Sequence, residues 1–149
     1  MKRVMLLILV GVSCGDSPTA PPPPGGTQSG FVMNGSIRLR WFLDLPEGNP
    51  PFPAMVYGPG SGSVSADHES TVRFARELNS IGFAVMRYDK RGTGASNGSV
   101  VAVSTANSQT TITLLASDML AVLDGLLADP RIDVTRVGLF GSSQANSLR

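Results

Sequence analysis

The sequence feature that most constrains the fold is an apolar segment that leads directly into a Gly-x-Ser-x-Ala turn. The apolar run from Val137 to Phe140 is followed by Gly141 to Ala145, with Ser143 at the centre. Only small residues fit two positions before and after a serine on a sharp strand-to-helix turn. Such a turn lifts the serine hydroxyl above the sheet and places the first amides of the helix beside it. The pattern therefore predicts Ser143, rather than Ser142, as a nucleophile, and the alternative is a serine-rich turn without chemistry.

The rest of the chain alternates segments typical of strands with segments typical of helices. Period-two and short apolar runs indicate strands, and apolar residues at helical spacing indicate helices. The predicted strands are 37–43, 54–57, 83–88 and 137–140, the predicted helices are 66–80 and 115–127, and 89–98 is a Gly-rich loop. The polar stretch 104–113 is predicted to be a loop or lid. This order predicts an α/β fold, with a mostly parallel sheet and helices on both of its faces.

The N-terminus has the pattern of an export signal. Lys2 and Arg3 precede an uncharged apolar run, 4–12, which is too short to span a bilayer. Cys14 follows small residues and resembles the lipidated cysteine of bacterial lipoproteins, so 1–13 is predicted to be a signal peptide. We expect an exported protein, anchored in the bacterial cell envelope by lipid on Cys14. It would be secreted if Cys14 is the incidental cysteine of an ordinary signal.

A tether is predicted between this anchor and the folded domain. Residues 14–30 contain four consecutive prolines, Pro21 to Pro24, followed by two glycines. Proline runs favour extended polyproline II and cannot form a core. The folded domain is therefore expected to cover 31–149.

Composition excludes several function classes. The chain has 12 basic and 11 acidic residues and no Lys/Arg block, so no nucleic-acid partner is expected. A single cysteine allows no internal disulfide, and no metal or cofactor motif is visible. The loop 58–63 lacks the Gly-Lys-Ser/Thr ending that a phosphate-binding loop needs.

Three further segments, together with the serine turn, resemble the α/β-hydrolase superfamily, especially bacterial serine esterases and peptidases. Pro53 to Gly62 is similar to the third strand and oxyanion loop of that superfamily, with Pro59 where a histidine is usual. Tyr88 to Ser96 matches its Asp-x-Arg-Gly-x-Gly-x-Ser segment, and Pro130 to Gly138 resembles its lead-in to the serine turn. The resemblance covers about residues 35 to 145.

The resemblance implies a role for each matching residue. Ser143 would attack an ester or amide carbonyl and form an acyl-enzyme, and the Gln144 N–H would be one oxyanion donor. The second donor would be the Ser61 N–H, or else that of the neighbouring Gly60. Asp89 and Arg91 are predicted to be structural, either as an ion pair that braces loops near the site or as a solvated pair in a turn.

The remaining members of a catalytic triad are missing after Ser143. Residues 144–149 contain no acid and no histidine, whereas the fold places both after the serine. The only histidine, His68, precedes Ser143 and is expected to lie at the surface or to brace a loop. We therefore expect a truncated and inactive hydrolase fragment. The alternative is a non-catalytic lipoprotein that uses a partial hydrolase fold for binding.

Overall fold

A computed structural model describes residues 25–60, 62–101 and 108–142 of the 149-residue chain. In this part the chain forms five strands and two helices. They are β1 (Thr27–Asn34), β2 (Ile37–Asp44), β3 (Phe52–Gly58), α1 (Glu69–Ser80), β4 (Ala84–Tyr88), α2 (Ser108–Leu127) and β5 (Ile132–Gly141). The alternation of strands and helices from β3 onwards confirms the predicted α/β class.

The strands form one mixed sheet in the order β1-β2-β4-β3-β5. β3 lies between β4 and β5 and is parallel to both, whereas β1, β2 and β4 pair antiparallel along the other half of the sheet. Because β3 and β5 are parallel neighbours, the loops that follow them leave from the same edge of the sheet. This edge carries the candidate site.

The two helices cover opposite faces of the sheet, as predicted. Val56 and Met86 point towards α2 and pack with Val122 and Leu126. Val85 belongs to the opposite face and packs in a smaller cluster under α1. Alternate residues of β3 and β4 are thus buried on both sides, which explains why these strands read as continuous apolar runs.

Helix α2 begins earlier than the sequence predicts. The stretch predicted to be a loop or lid, 104–113, enters α2 at Ser108, and 102–107 lie outside the described residues. Thr111 is buried, and the Thr113 hydroxyl donates to the Gln109 carbonyl one turn earlier. Packing against the sheet thus overrides the weak helix propensity of Ser and Thr. By length and composition α2 could cross a membrane, but here it packs on the sheet through Val122 and Leu126.

The first strand also begins before the predicted start of the folded domain. β1 starts at Thr27, so residues 27–30 of the predicted tether pair with β2. The two strands are joined by a two-residue turn in which Gly35 has a positive φ of 60°, which favours a hairpin. The polar residues at 27–29 gave no strand signal, because their place in the sheet comes from pairing with the neighbouring strand.

Candidate active site

The loop after β3 and the turn after β5 are in direct contact at the carboxyl edge of the sheet. The Ser142 N–H donates to the Gly58 carbonyl over 3.1 Å. The Gly60 N–H donates to Ser142 Oγ over 2.8 Å, and the Tyr57 hydroxyl donates to the same oxygen over 3.1 Å. A Cβ at Gly60 would lie 2.7 Å from the Ser142 carbonyl oxygen, so only glycine permits this approach.

Several predicted site residues fall outside the part of the chain that the structure describes. They are Cys14, Ser61, Ser143 and Gln144. Gly60 is described, and its N–H is already bound by Ser142 Oγ. An N–H that already donates to Ser142 Oγ could donate to an oxyanion only after releasing that oxygen. Gly60, one of the two loop donors predicted from the sequence, is therefore engaged by Ser142 in this structure, and its role as an oxyanion donor stays a prediction.

The side chain of Lys90 binds the backbone of the same loop after β3. Its ammonium donates to the Gly60 carbonyl and, over 2.7 Å, to the Gly62 carbonyl. The residue is only 9% exposed, and burial lowers the pKa of its ammonium. Lys90 thus joins the loop after β4 to the loop after β3.

The predicted ion pair between Asp89 and Arg91 is wrong, because each residue has a different partner. Asp89 is fully buried and binds Arg40 Nε on β2 over 2.6 Å. Arg91 binds Asp118 on α2 through two hydrogen bonds of 2.7 Å each. Asp89 thus contacts β2 and Arg91 contacts α2, so the two residues pair with different elements.

The Asp89 carboxylate holds three segments together. Its Oδ1 accepts from the Ala66 N–H over 2.7 Å and lies 2.8 Å from the Ser65 hydroxyl. Its Oδ2 accepts from Arg40 Nε over 2.6 Å and from the Ala95 N–H over 2.9 Å. Burial alone would raise the pKa of Asp89, but the hydrogen bonds from Arg40 and the two amides outweigh it and lower that pKa. Asp89 is therefore a structural carboxylate that stays ionised.

Arg91 fixes α2 against the Gly-rich loop. Its partner Asp118 is fully buried and also accepts from the Asn34 amide over 2.8 Å. The hydrogen bonds that Arg91 donates to Asp118 raise the pKa of Arg91 further above its ordinary value. The structural role predicted for both Asp89 and Arg91 therefore agrees with their contacts, although the pairing differs.

His68 lies at the N-terminus of α1, as expected from its place in the sequence. It is exposed, and its Nδ1 accepts from the Ser70 N–H over 3.3 Å as the helix cap. Among the hydrogen bonds of the described residues, the partner of its side chain is Ser70. Within residues 25–60, 62–101 and 108–142, no group of three or more His, Cys, Asp or Glu side chains could hold a metal ion.

Three residues of this edge were not predicted from the sequence: Tyr57, Lys90 and Ser142. Ser142 was set aside in favour of its neighbour at the centre of the turn, and Lys90 was passed over between Asp89 and Arg91. A signal was available for Lys90. A lysine directly after a buried strand, in a segment that returns to the sheet edge, must find acceptors because it cannot reach bulk water.

A cavity of about 240 Å³ lies beside this edge, between α2 and the ends of β3 and β5. Gly58, Ser142 and Lys90 form its polar side. Leu115 and Met119 form part of its apolar side. The space next to Ser142 is thus bounded by polar groups on one side and by an uncharged face of α2 on the other.

The solved structures with similar folds belong to larger proteins, and the chain matches only part of each. The chain matches Est1E from Butyrivibrio proteoclasticus, solved with ferulic acid bound, at 24% identity and a TM-score of 0.63, over 76% of this chain and 42% of that one. It matches the α/β-hydrolase GrgF from Penicillium sp. sh18 at 22% identity and a TM-score of 0.60, over 78% and 36%. It also matches XC6422 from Xanthomonas campestris, described as a serine hydrolase without a lid, at 22% identity and a TM-score of 0.58, over 81% and 52%.

No protein-family model matches the chain, and neither does any curated protein sequence. The chain spans between 36% and 52% of the length of the three solved proteins. At these identities the likeness establishes the fold. The described part of the chain therefore has the fold of the N-terminal part of an α/β-hydrolase, as the sequence predicts.

Proposed function

We propose that this chain carries the nucleophile half of a serine hydrolase site that acts on esters or amides. Ser143 Oγ would attack the carbonyl carbon while its proton passes to a base. The alcohol or amine would then leave, and water would hydrolyse the acyl-enzyme. The Gln144 and Ser61 amides would donate to the developing oxyanion, and each such donor typically contributes about 3 to 4 kcal/mol to the transition state.

The observation that carries this proposal is the contact between Gly60 and Ser142. The Gly60 N–H donates to Ser142 Oγ over 2.8 Å, so the loop after β3 meets the turn after β5 one residue before Ser143. A nucleophile and its oxyanion donors must converge in this way. The cavity beside Ser142, with Leu115 and Met119 on its wall, would accept an apolar part of the substrate.

The 149-residue chain should react slowly with a fluorophosphonate, because its one histidine, His68, caps α1. The adduct, located by peptide mass spectrometry, should lie on Ser143 and should be absent in Ser143→Ala. Added imidazole, a diffusible base, should speed its formation.

Ser142→Ala is the matched control, since it removes the neighbouring hydroxyl and leaves the proposed nucleophile. It should still form the adduct, although more slowly. An adduct on Ser142, or the same adduct yield in Ser143→Ala as in the wild type, would disprove the assignment.

A non-catalytic binding role is the second candidate. It is favoured by the position of the only histidine, which caps α1 through Ser70 and does not contact the described edge of the site. Under this alternative, the chain would form no adduct with the fluorophosphonate, with or without imidazole, while remaining folded by circular dichroism.

We also propose that Cys14 is lipidated and holds the domain at the bacterial cell envelope. The support is the sequence pattern before Cys14 and the proline-rich segment after it. Metabolic labelling with an alkyne fatty acid should mark the wild-type chain and not Cys14→Ser. Release of both proteins into the medium without label would indicate an ordinary secretory signal instead.

A further inference from the structure

Lys90 is a buried cation whose hydrogen bonds go to two backbone carbonyls of one loop. These are the carbonyls of Gly60 and Gly62, and the side chain is only 9% exposed. Among the described residues, no carboxylate forms a salt bridge with Lys90, whereas Arg40, Arg87 and Arg91 each have one. A buried ammonium without a counter-charge costs free energy, so its two acceptors must offset that cost.

The two sides of Gly60 are held by different residues. Its carbonyl accepts from Lys90, and its N–H donates to Ser142 Oγ, which the Tyr57 hydroxyl also holds. Gly60 is therefore held at its carbonyl by the loop after β4 and at its N–H by the residue that follows β5.

We propose that Lys90 and Ser142 are positioning residues that hold the loop after β3 in place beside the end of β5, Lys90 at the Gly60 carbonyl and Ser142 at the Gly60 N–H. The contribution of this loop to an oxyanion site rests on the proposed hydrolase function. The hold of these two residues on Gly60, here termed the clamp, can be measured without catalysis. Each of them acts through the backbone of Gly60.

The test measures two quantities in the full chain: the rate of adduct formation with the fluorophosphonate, and the hydrogen-exchange rate of the Gly60 amide by NMR. Lys90→Met keeps the length of the side chain and removes its donors. It should slow adduct formation by about a hundredfold, the lower end of the loss seen when an oxyanion donor is removed. Exchange at Gly60 should rise about tenfold, the factor that corresponds to one net hydrogen bond.

Chemical rescue separates positioning from general stability. Lys90→Cys, alkylated with bromoethylamine, regains an ammonium at the length of lysine, and both rates should return to within about threefold of the wild type. The wild type receives the same treatment to correct for reaction at Cys14. The exposed Arg73→Met serves as the matched control and should change neither rate.

The outcomes distinguish the clamp from the hydrolase assignment. Wild-type rates in Lys90→Met, or no recovery after alkylation, would overturn the clamp even if the Ser143 adduct forms. If the wild type forms no adduct but Gly60 exchange rises and recovers as stated, the clamp stands and the hydrolase function fails. Should Lys90→Met not fold, Ser142→Ala takes its place: faster exchange at Gly60 supports the clamp, and unchanged exchange refutes it.

Discussion

Replacing Asp89 with asparagine should cost more stability than any other single polar substitution near the site. The carboxylate is fully buried, and each of its oxygens faces two donor groups. Asparagine keeps the shape but turns one oxygen into an NH₂ group. In either orientation that group faces an N–H, the buried one of Ala66 or the less buried one of Ala95, and the charge opposite Arg40 is lost.

The magnitude follows from these two effects. An unsatisfied buried N–H costs about 1–3 kcal/mol, and breaking a buried ion pair by removing one partner costs about 3–5 kcal/mol. The Arg40 side chain is 23% exposed, so water offsets part of the second effect. We expect Asp89→Asn to lower the free energy of unfolding by about 3–5 kcal/mol, a large part of the about 5–15 kcal/mol typical of a domain.

Urea unfolding followed by Trp41 fluorescence measures this loss, since Trp41 is the only tryptophan and lies next to Arg40 on β2. Asp67→Asn is the matched control. Asp67 also pairs with Arg40 but is 56% exposed, so its substitution should cost less than about 1 kcal/mol. If Asp89→Asn does not fold, Ser65→Ala tests the same cluster, with an expected loss of about 1 kcal/mol. Equal losses for Asp89→Asn and Asp67→Asn would refute the reasoning.

Three other changes test the packing and the charges. Gly94→Ala should cost at least about 2 kcal/mol, because Gly94 has a φ of 53° and its Cβ would lie 2.1 Å from Asp89 Oδ2; Gly26→Ala, with no atom within 4 Å of the new Cβ, should be neutral in the same urea assay. Leu126→Ala should cost about 2–5 kcal/mol in calorimetry because Leu126 is fully buried, whereas Leu127→Ala, at a position 37% exposed, should cost clearly less; the reverse order would contradict the assigned face of α2. Asp89 has a lowered pKa, so the unfolded chain takes up its proton first as the pH falls. Stability should therefore decline below about pH 4, and a constant unfolding free energy between about pH 5 and about pH 2 would contradict this.

The fold was largely predictable because its signals are local. Apolar runs on β3 and β4 and the apolar stripe of α2 predicted strands and a helix from spacing alone. The predicted starts of elements were wrong where strand pairing or packing against the sheet sets the start. β1 begins at Thr27 and α2 begins at Ser108. In both places polar residues are held by a neighbouring element rather than by their own propensity.

The candidate site likewise has one part that could be predicted from the sequence and another that could not. The motif that predicts the Gly-x-Ser-x-Ala turn and the glycines of the loop after β3 can be identified without coordinates, because they reflect steric limits at single backbone positions. The pairing of Asp89 with Arg40, that of Arg91 with Asp118 and the contact of Lys90 with Gly60 depend on the three-dimensional fold. A charged side chain pairs with the opposite charge that the strand order brings within about 3 Å of it. The strand order depends on the whole chain and not on the residues next to that side chain in the sequence.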